Sequence, residues 1–353
     1  MNEGAFAFLD CLGFKGVWNR GVDPSLIVSY LRLAKAKAEN GPVQEFAKKY
    51  LGSSVVVSIA FISDTVVVSV QGAKNVMLPD LYRGYLIQLA NFACIELIRV
   101  FANCPKPLAM RGCVTYGPHL VADTFFLGPA VDEAAEYAEI AQGAFVWLTP
   151  QAQRYWTAYR SQMPGILQKQ MLKATSEHQA KFVEALFDVS HMFVGHGTYL
   201  SMDDFVVWWK SLSQVQQASA APIVIRELYG RVDFDDVVLG YPMPLRAGQT
   251  LCAAVLNPFL AIPELKMNLL YAALLSTFDK PGIDVLLKKQ NTETFLRNVH
   301  HSAITRATKW ADRSNEINSA LAAATGAQLP VRRPSAKLRP DWREILEAQK
   351  KEP

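Results

Sequence analysis

Apolar and polar positions fall into alternating strand and helix periods up to Pro150. Phe6–Phe14, FAFLDCLGF, is an apolar run closed by one acid, Asp10, and a glycine turn, and reads as a buried strand. Asp23-Pro24-Ser25 marks a helix start, with Leu26, Tyr30, Leu33 and Ala34 at helical spacing until Gly41-Pro42 ends it. Val55–Ile62 and Thr65–Val70 are rich in β-branched residues, and Ser63-Asp64 between them predicts a tight hairpin. Leu81, Tyr85, Leu89, Phe92 and Phe101 lie on one stripe of a long helix over Asp80–Ala102. Leu108–Tyr116 reads as a strand with Val121–Leu127 as its partner, Pro129–Gln142 as an acidic helix and Ala144–Leu148 as a short strand. The order β, α, ββ, α, ββ, α, β predicts an α+β fold. Its core is a mixed, mainly antiparallel sheet with helices on one face, as in a ferredoxin-like palm.

Beyond Pro150 the pattern changes. Gln151–Arg160, Gly165–Phe187 and Met202–Gln217 read as helix, and Asn257–Phe278, Gly282–Gln290 and Thr292–Ala324 return to it. Pro222–Leu228 and Val232–Leu245 are less regular and suit short strands or loops. The expected division is a domain over 1–150, a mostly helical extension over 151–330 and a basic, Pro-containing tail over 331–353. The extension carries no catalytic motif and no repeat, so a scaffold, a dimer brace and a sensor all fit it.

Composition narrows the class. Half of the 353 residues are apolar and 19% are charged, enough for a sizeable core. A net charge of +4 is too small to argue for nucleic acid. No apolar run is expected to reach the roughly 18 residues of a membrane span. The N-terminus carries Glu3 and no basic segment, so it does not read as a signal peptide. Five scattered cysteines without a C-x-x-C pair point to free thiols in a reducing cytoplasm.

The candidate chemistry starts at Asp10. A carboxylate at the end of a buried strand is costly without a partner, and a hard cation is the simplest one. Gly13 lets backbone N–H groups approach an anion closely. Asp64, at the hairpin bend, is the second acid. Two strand-end carboxylates can share a pair of divalent ions and so serve a phosphate-bearing ligand. Taken singly, Asp10 also suits a helix cap and Asp64 a turn.

FLDCLGF, ISDTVVVS, MRGCVTYG and LGPAVDEAAEYAEIA, in that order, resemble the catalytic domain of class III nucleotidyl cyclases, and above all the bacterial pyrimidine cyclases of Pycsar antiphage defence. The resemblance covers Ala5–Pro150. It implies two Mg²⁺ or Mn²⁺ ions held by Asp10, Asp64 and the Leu12 backbone, with Cys11, Gly13 and Phe14 lining metal and phosphates. It also implies that Arg111 contacts the triphosphate, where a guanidinium gives bidentate contact; a surface strand arginine is the alternative. His119 stays unassigned, having no second ligand at metal spacing.

The departures from purine cyclases define the expected substrate. Ser58 and Phe125 stand where those enzymes carry a purine-reading Lys and acid, and Tyr50 is a further candidate for reading the base, with a helix-end core tyrosine as its alternative. Asp132 and Glu136 stand where those enzymes carry an Asn and a transition-state Arg. The resemblance implies a cytoplasmic homodimer with shared sites that converts UTP to 3′,5′-cyclic UMP, a messenger read by a separate effector. CTP, a purine nucleotide, and a degenerate domain that binds without turnover stay open as alternatives. No nucleic acid or membrane partner is expected.

Overall fold

The computed structural model describes residues 1–14, 23–40, 55–72, 79–104, 106–122, 125–173, 175, 178–179, 183, 202–224, 236–260, 264–279 and 283–327. Two compact units emerge. The first takes in 1–160, 235–258 and 270–299, and the second 161–234, 259–269 and 300–353.

The first unit is built on one mixed sheet. Its strands are β1 (Asn2–Leu12), β2 (Val56–Ile62), β3 (Thr65–Gln71), β4 (Ala109–Ala122), β5 (Phe125–Leu127), β6 (Val146–Leu148), β7 (Val237–Pro244) and β8 (Thr250–Leu256). They lie in the order β2-β3-β1-β4-β6-β8-β7, with β5 hairpinned onto β4. Every pairing is antiparallel except β4 with β6. The expected α+β architecture with a mostly helical C-terminal part is what the chain adopts. β1 sits centrally, hydrogen-bonded on both edges, and buries Phe6 and Leu9 completely.

Three helices accompany this half of the sheet: α1 (Pro24–Glu39), α2 (Pro79–Ala102) and α3 (Pro129–Ala138). Asp23 caps α1 by accepting from the Ser25 N–H at 2.9 Å, and Pro24 occupies its first turn. α1 also blunts the edge strand β2: Lys35 Nζ donates to Ile59 O at 2.7 Å and Glu39 accepts from Ile59 N at 2.9 Å. α2 is long and apolar enough to span a membrane, which corrects the expectation that no segment reaches that length; 83% of its apolar window is buried in the protein, as in a core helix.

Strand alternation assigns two faces. Tyr116 meets Arg83 of α2, whereas Cys113 donates its thiol to Ala134 O of α3 at 3.3 Å. α2 and α3 therefore cover opposite faces, not one. α3 approaches closely because its buried residues, Ala130, Ala134 and Ala138, are all small. Gly128 precedes it at φ 131°, where a Cβ would meet Pro118 O at 2.8 Å.

The irregular stretch after Val232 holds a real sheet element. β7 and β8 extend the sheet beyond β6, and a bulge at Gly240 with Pro242 beside it is tolerated because β7 is an edge strand. The hairpin is held by Phe145, Tyr241 and Phe295, whose ring centroids lie 4.8–5.8 Å apart.

The other helices among the described residues are α4 (Pro150–Lys173), α5 (Met202–Ser211), α6 (Gln214–Val224), α7 (Glu264–Ser276) and α8 (Ile283–Thr325). In the second unit Trp208 and Trp209 are buried, and Gln216 donates to Thr325 O at 2.7 Å.

Candidate active site

Asp10 is third from the end of β1, paired with Thr65 of β3 on one side and Arg111 of β4 on the other. Asp64 occupies the two-residue bend between β2 and β3, so it too lies at this end of the sheet. Ser63, before it, has φ 58°, the left-handed value that a tight hairpin demands of its first turn residue. The Asp64 carbonyl accepts from Cys11 N at 2.8 Å, which locks the bend to the end of β1. Burial pushes the Cys11 thiol well above its ordinary range, and the charges of both Asp10 and Asp64 add to the shift. Both acids thus lie near enough to Cys11 for their charge to be felt there.

The chain then turns sharply. Phe14 N donates to Cys11 O at 3.3 Å, and Gly13 takes φ 80°, a value that disfavours any side chain. Leu12, Gly13 and Phe14 stay partly accessible beside the acids.

Arg111 is not a surface arginine. Its side chain is only 8% exposed, and Nε donates to Asp10 Oδ2 at 2.7 Å. Nη2 lies 3.9 Å from Glu139 Oε1, just past the end of α3. Nη1 is buried without a hydrogen-bond partner among the described residues. Glu139 in turn accepts from Arg246 Nη1 at 2.9 Å. Neither Glu139 nor Arg246 stood out in the sequence. Glu139 is one acid of an acidic helix, and Arg246 lies 107 residues away from it in the chain.

The candidate base-reading residues separate. Ser58 pairs with Ser69, which pairs with Phe6, so Ser58 shares the α3 face of the sheet with Asp10 and Arg111. Phe125 lies on β5 and is 68% exposed. Ser58 stands in register with Thr115 of β4 and Phe125 with Ala122, seven residues or roughly 23 Å further along that strand. One chain does not bring Ser58 and Phe125 into one pocket. Tyr50 lies outside the described residues. Asp132 and Glu136 are exposed on α3. His119 is fully buried, with Nε2 2.7 Å from Ser69 Oγ and Nδ1 3.1 Å from Gly117 O, and burial lowers its pKa. It is a core residue, 5.2 Å from the Phe6 ring.

The donor set fits a hard cation. Asp10, Asp64 and the main-chain carbonyl of Leu12 offer only oxygens, the preference of Mg²⁺ and Mn²⁺. Two carboxylates do not fill a coordination shell, and such ions complete it with phosphate oxygens and water. Among the described residues, no group of three or more Asp, Glu, His or Cys side chains forms a metal cage by itself.

No protein-family model matches the chain, and no curated protein sequence matches it. Solved structures do show a likeness. The monomeric guanylyl cyclase domain of the RhoGC fusion protein from Blastocladiella emersonii is 15% identical over 44% of this chain and 86% of that one, with a TM-score of 0.32. The guanylate cyclase domain of RhGC from Catenaria anguillulae, in complex with GTP, is 16% identical over 44% of this chain and 81% of that one, with a TM-score of 0.31. The catalytic core of a rhodopsin-guanylyl cyclase with converted specificity, in complex with ATPαS, is 16% identical over 44% and 80%, with a TM-score of 0.32.

Proposed function

We propose that this chain is a class III nucleotidyl cyclase that converts a pyrimidine nucleoside triphosphate, UTP before CTP, to its 3′,5′-cyclic monophosphate and pyrophosphate. The observation that carries the reading is the convergence of Asp10 and Asp64 at one end of β1, with the buried Arg111 against Asp10. Asp10, Asp64 and the Leu12 carbonyl would hold two Mg²⁺ or Mn²⁺ ions, which when bound acidify the ribose 3′-hydroxyl and neutralise the phosphates. The 3′-oxygen attacks the α-phosphorus in line, its proton passes to solvent, and the bond to pyrophosphate breaks. The turn at Gly13 and Phe14 lies beside the acids, where the phosphates would sit, and Arg111 Nη1 is a donor in reserve for a phosphate oxygen.

Ser58 faces the base from the floor of the site, and Phe125 closes it from the second copy in a head-to-tail homodimer. That assignment is supported by the distance between β2 and β5 within one chain. A hydroxyl and a phenyl ring lack the charges that grip a purine edge, and a pocket cut for a small base rejects a larger one by clash and stranded polar groups. Tyr50 is retained as a base-reading candidate. The product would serve as a messenger to a separate effector in phage defence, in a reducing cytoplasm that keeps the five cysteines as free thiols.

A nucleotide-binding domain without turnover is the second reading, favoured by the grip of Arg111 on Asp10 and by the acids of α3. Incubation with Mn²⁺ and equimolar UTP, CTP, ATP and GTP, with mass detection, separates the readings. Cyclic UMP is the expected main product. A dominant cyclic AMP or cyclic GMP peak sinks the pyrimidine reading, a dominant cyclic CMP peak sinks the choice of UTP, and binding without product establishes the second reading.

A further inference from the structure

Asp10, Arg111, Glu139 and Arg246 form a row of alternating charge, with successive separations of 2.7, 3.9 and 2.9 Å. The guanidinium of Arg111 is fixed in β4 between two carboxylates, so whatever draws it toward Glu139 loosens it from Asp10. Arg246 competes for the same Glu139. It does so from a firm base. Its N–H donates to Ile140 O at 3.0 Å, Gln142 N donates to Pro244 O at 2.8 Å, and Leu245 bridges to Ala141. The β7–β8 turn closes with Gly248 at φ 72° donating to Leu245 O at 3.0 Å.

We propose that Glu139 and Arg246 are positioning residues that set how firmly Arg111 holds Asp10, and hence how readily Asp10 is given up to a divalent cation. The inference rests on the reading of Asp10 as a cation ligand. It assigns a role in that site to the hairpin at 237–256, which lies outside the stretch carrying the cyclase resemblance. Removing the Glu139 charge leaves Arg111 to Asp10 alone and weakens cation binding. Removing the Arg246 charge frees Glu139 to draw Arg111 away and strengthens it. Glu139 and Arg246 are about half exposed, so each effect is modest, roughly two- to fivefold in affinity.

Mn²⁺ alone is the probe, titrated into the full-length protein while the loss of the free-ion signal is followed by electron paramagnetic resonance. Glu139→Gln should weaken binding and Arg246→Gln should tighten it, and added salt should shrink both changes. In an Arg111→Gln background both changes should vanish, because the row is cut. Persistence there would mean a plain field effect and would overturn the proposal. Should Arg111→Gln fail to fold, Arg111→Lys serves, since a single ammonium does not span both carboxylates. Wild-type binding that is lost in Asp10→Asn but unchanged in both charge variants defeats this inference and leaves the site reading standing. Binding unaffected by Asp10→Asn defeats the site reading, and the inference with it.

Discussion

Asn91 donates through Nδ2 to Asp236 Oδ2 at 3.0 Å, tying the middle of α2 to the residue before β7. The carboxylate is fully buried. Gln88 Nε2 reaches the same oxygen at 2.9 Å, and Trp156 Nε1 holds Gln88 Oε1 at 2.8 Å. Asp236 Oδ1 and Asn91 Oδ1 have no hydrogen-bond partner among the described residues. A proton on Asp236 Oδ1 would let the acid and the amide close a two-bond ring and satisfy both oxygens.

Stability should therefore depend on pH through Asp236. Burial raises its pKa to about 6, against the opposing pull of Arg160, Asn91 and Gln88. The folded state binds the proton more tightly than the unfolded chain does. The stabilisation is thus complete below the unfolded value of 3.8 and is lost as pH rises through about 6. The difference across that window is on the order of 2–3 kcal/mol. Asp236→Asn supplies a permanent N–H to Asn91 Oδ1. Thermal melts should show the variant at least as stable as the wild type at pH 8, with the two converging toward pH 4.5. Parallel curves for both proteins would mean that Asp236 does not take up the proton.

Gly112 follows Arg111 and lies against β1. A Cβ there would sit 2.0 Å from Phe8 O and 2.9 Å from Leu9 Cα, both main-chain atoms that cannot step aside. Gly112→Ala should push β4 off β1, lower stability by about 3 kcal/mol and cost the Asp10–Arg111 contact. Denaturant unfolding would read the loss, and a variant of wild-type stability would show that the strands can part freely.

The legible parts of this molecule are those whose partners are near in sequence or fixed by a period. The β2–β3 hairpin was readable because β-branched runs flank a two-residue bend. Asp10 and Asp64 were readable as candidates because each closes an apolar run. Boundaries moved where a backbone group found a distant partner. Val121 and Ala122 continue β4 and pair with Phe126 and Phe125 instead of belonging to its partner strand. Ala144 lies outside β6, its N–H going to Thr292 Oγ1 at 2.8 Å. The β7–β8 hairpin was blurred by Gly240, Pro242 and a bulge, which break the alternation a strand is recognised by. Glu139, Arg246 and Asp236 left no signal, because their roles come from partners far off in the chain, 28 residues for Glu139 with Arg111 and more than 100 for the pairs of Arg246 and Asp236. Asp236 in particular sits in VDFDDVV, which reads as a solvated charge run.

Neutralising either acid should abolish turnover, but the two variants should differ in stability. Asp10→Asn leaves the buried Arg111 guanidinium facing a neutral amide, with only Glu139 at 3.9 Å to offset it among the described residues, so a loss of about 3 kcal/mol is expected. Asp64→Asn alters a turn residue and should melt within a few degrees of the wild type. Cyclic product should fall roughly a hundredfold or more in both. Full activity in either variant would return that acid to the role of a cap or a turn.

The last expectation concerns self-association. On the β4–β5 ribbon Leu120 pairs with Leu127, and Phe125 lies two residues before Leu127 on the same side. These side chains are 44%, 61% and 68% exposed, a continuous apolar face on an element only three residues wide at β5. Burying it against a second copy, with Phe125 of one chain beside the Ser58 face of the other, is the arrangement the proposed shared site requires. Phe125→Glu with Leu127→Glu should shift the protein toward monomer in sedimentation and lower specific activity together. Dilution of the wild type should do the same, since the proposed site draws on two chains. A monomer at working concentration with undiminished specific activity would rule out the shared site, and with it the place given to Phe125 in choosing the base.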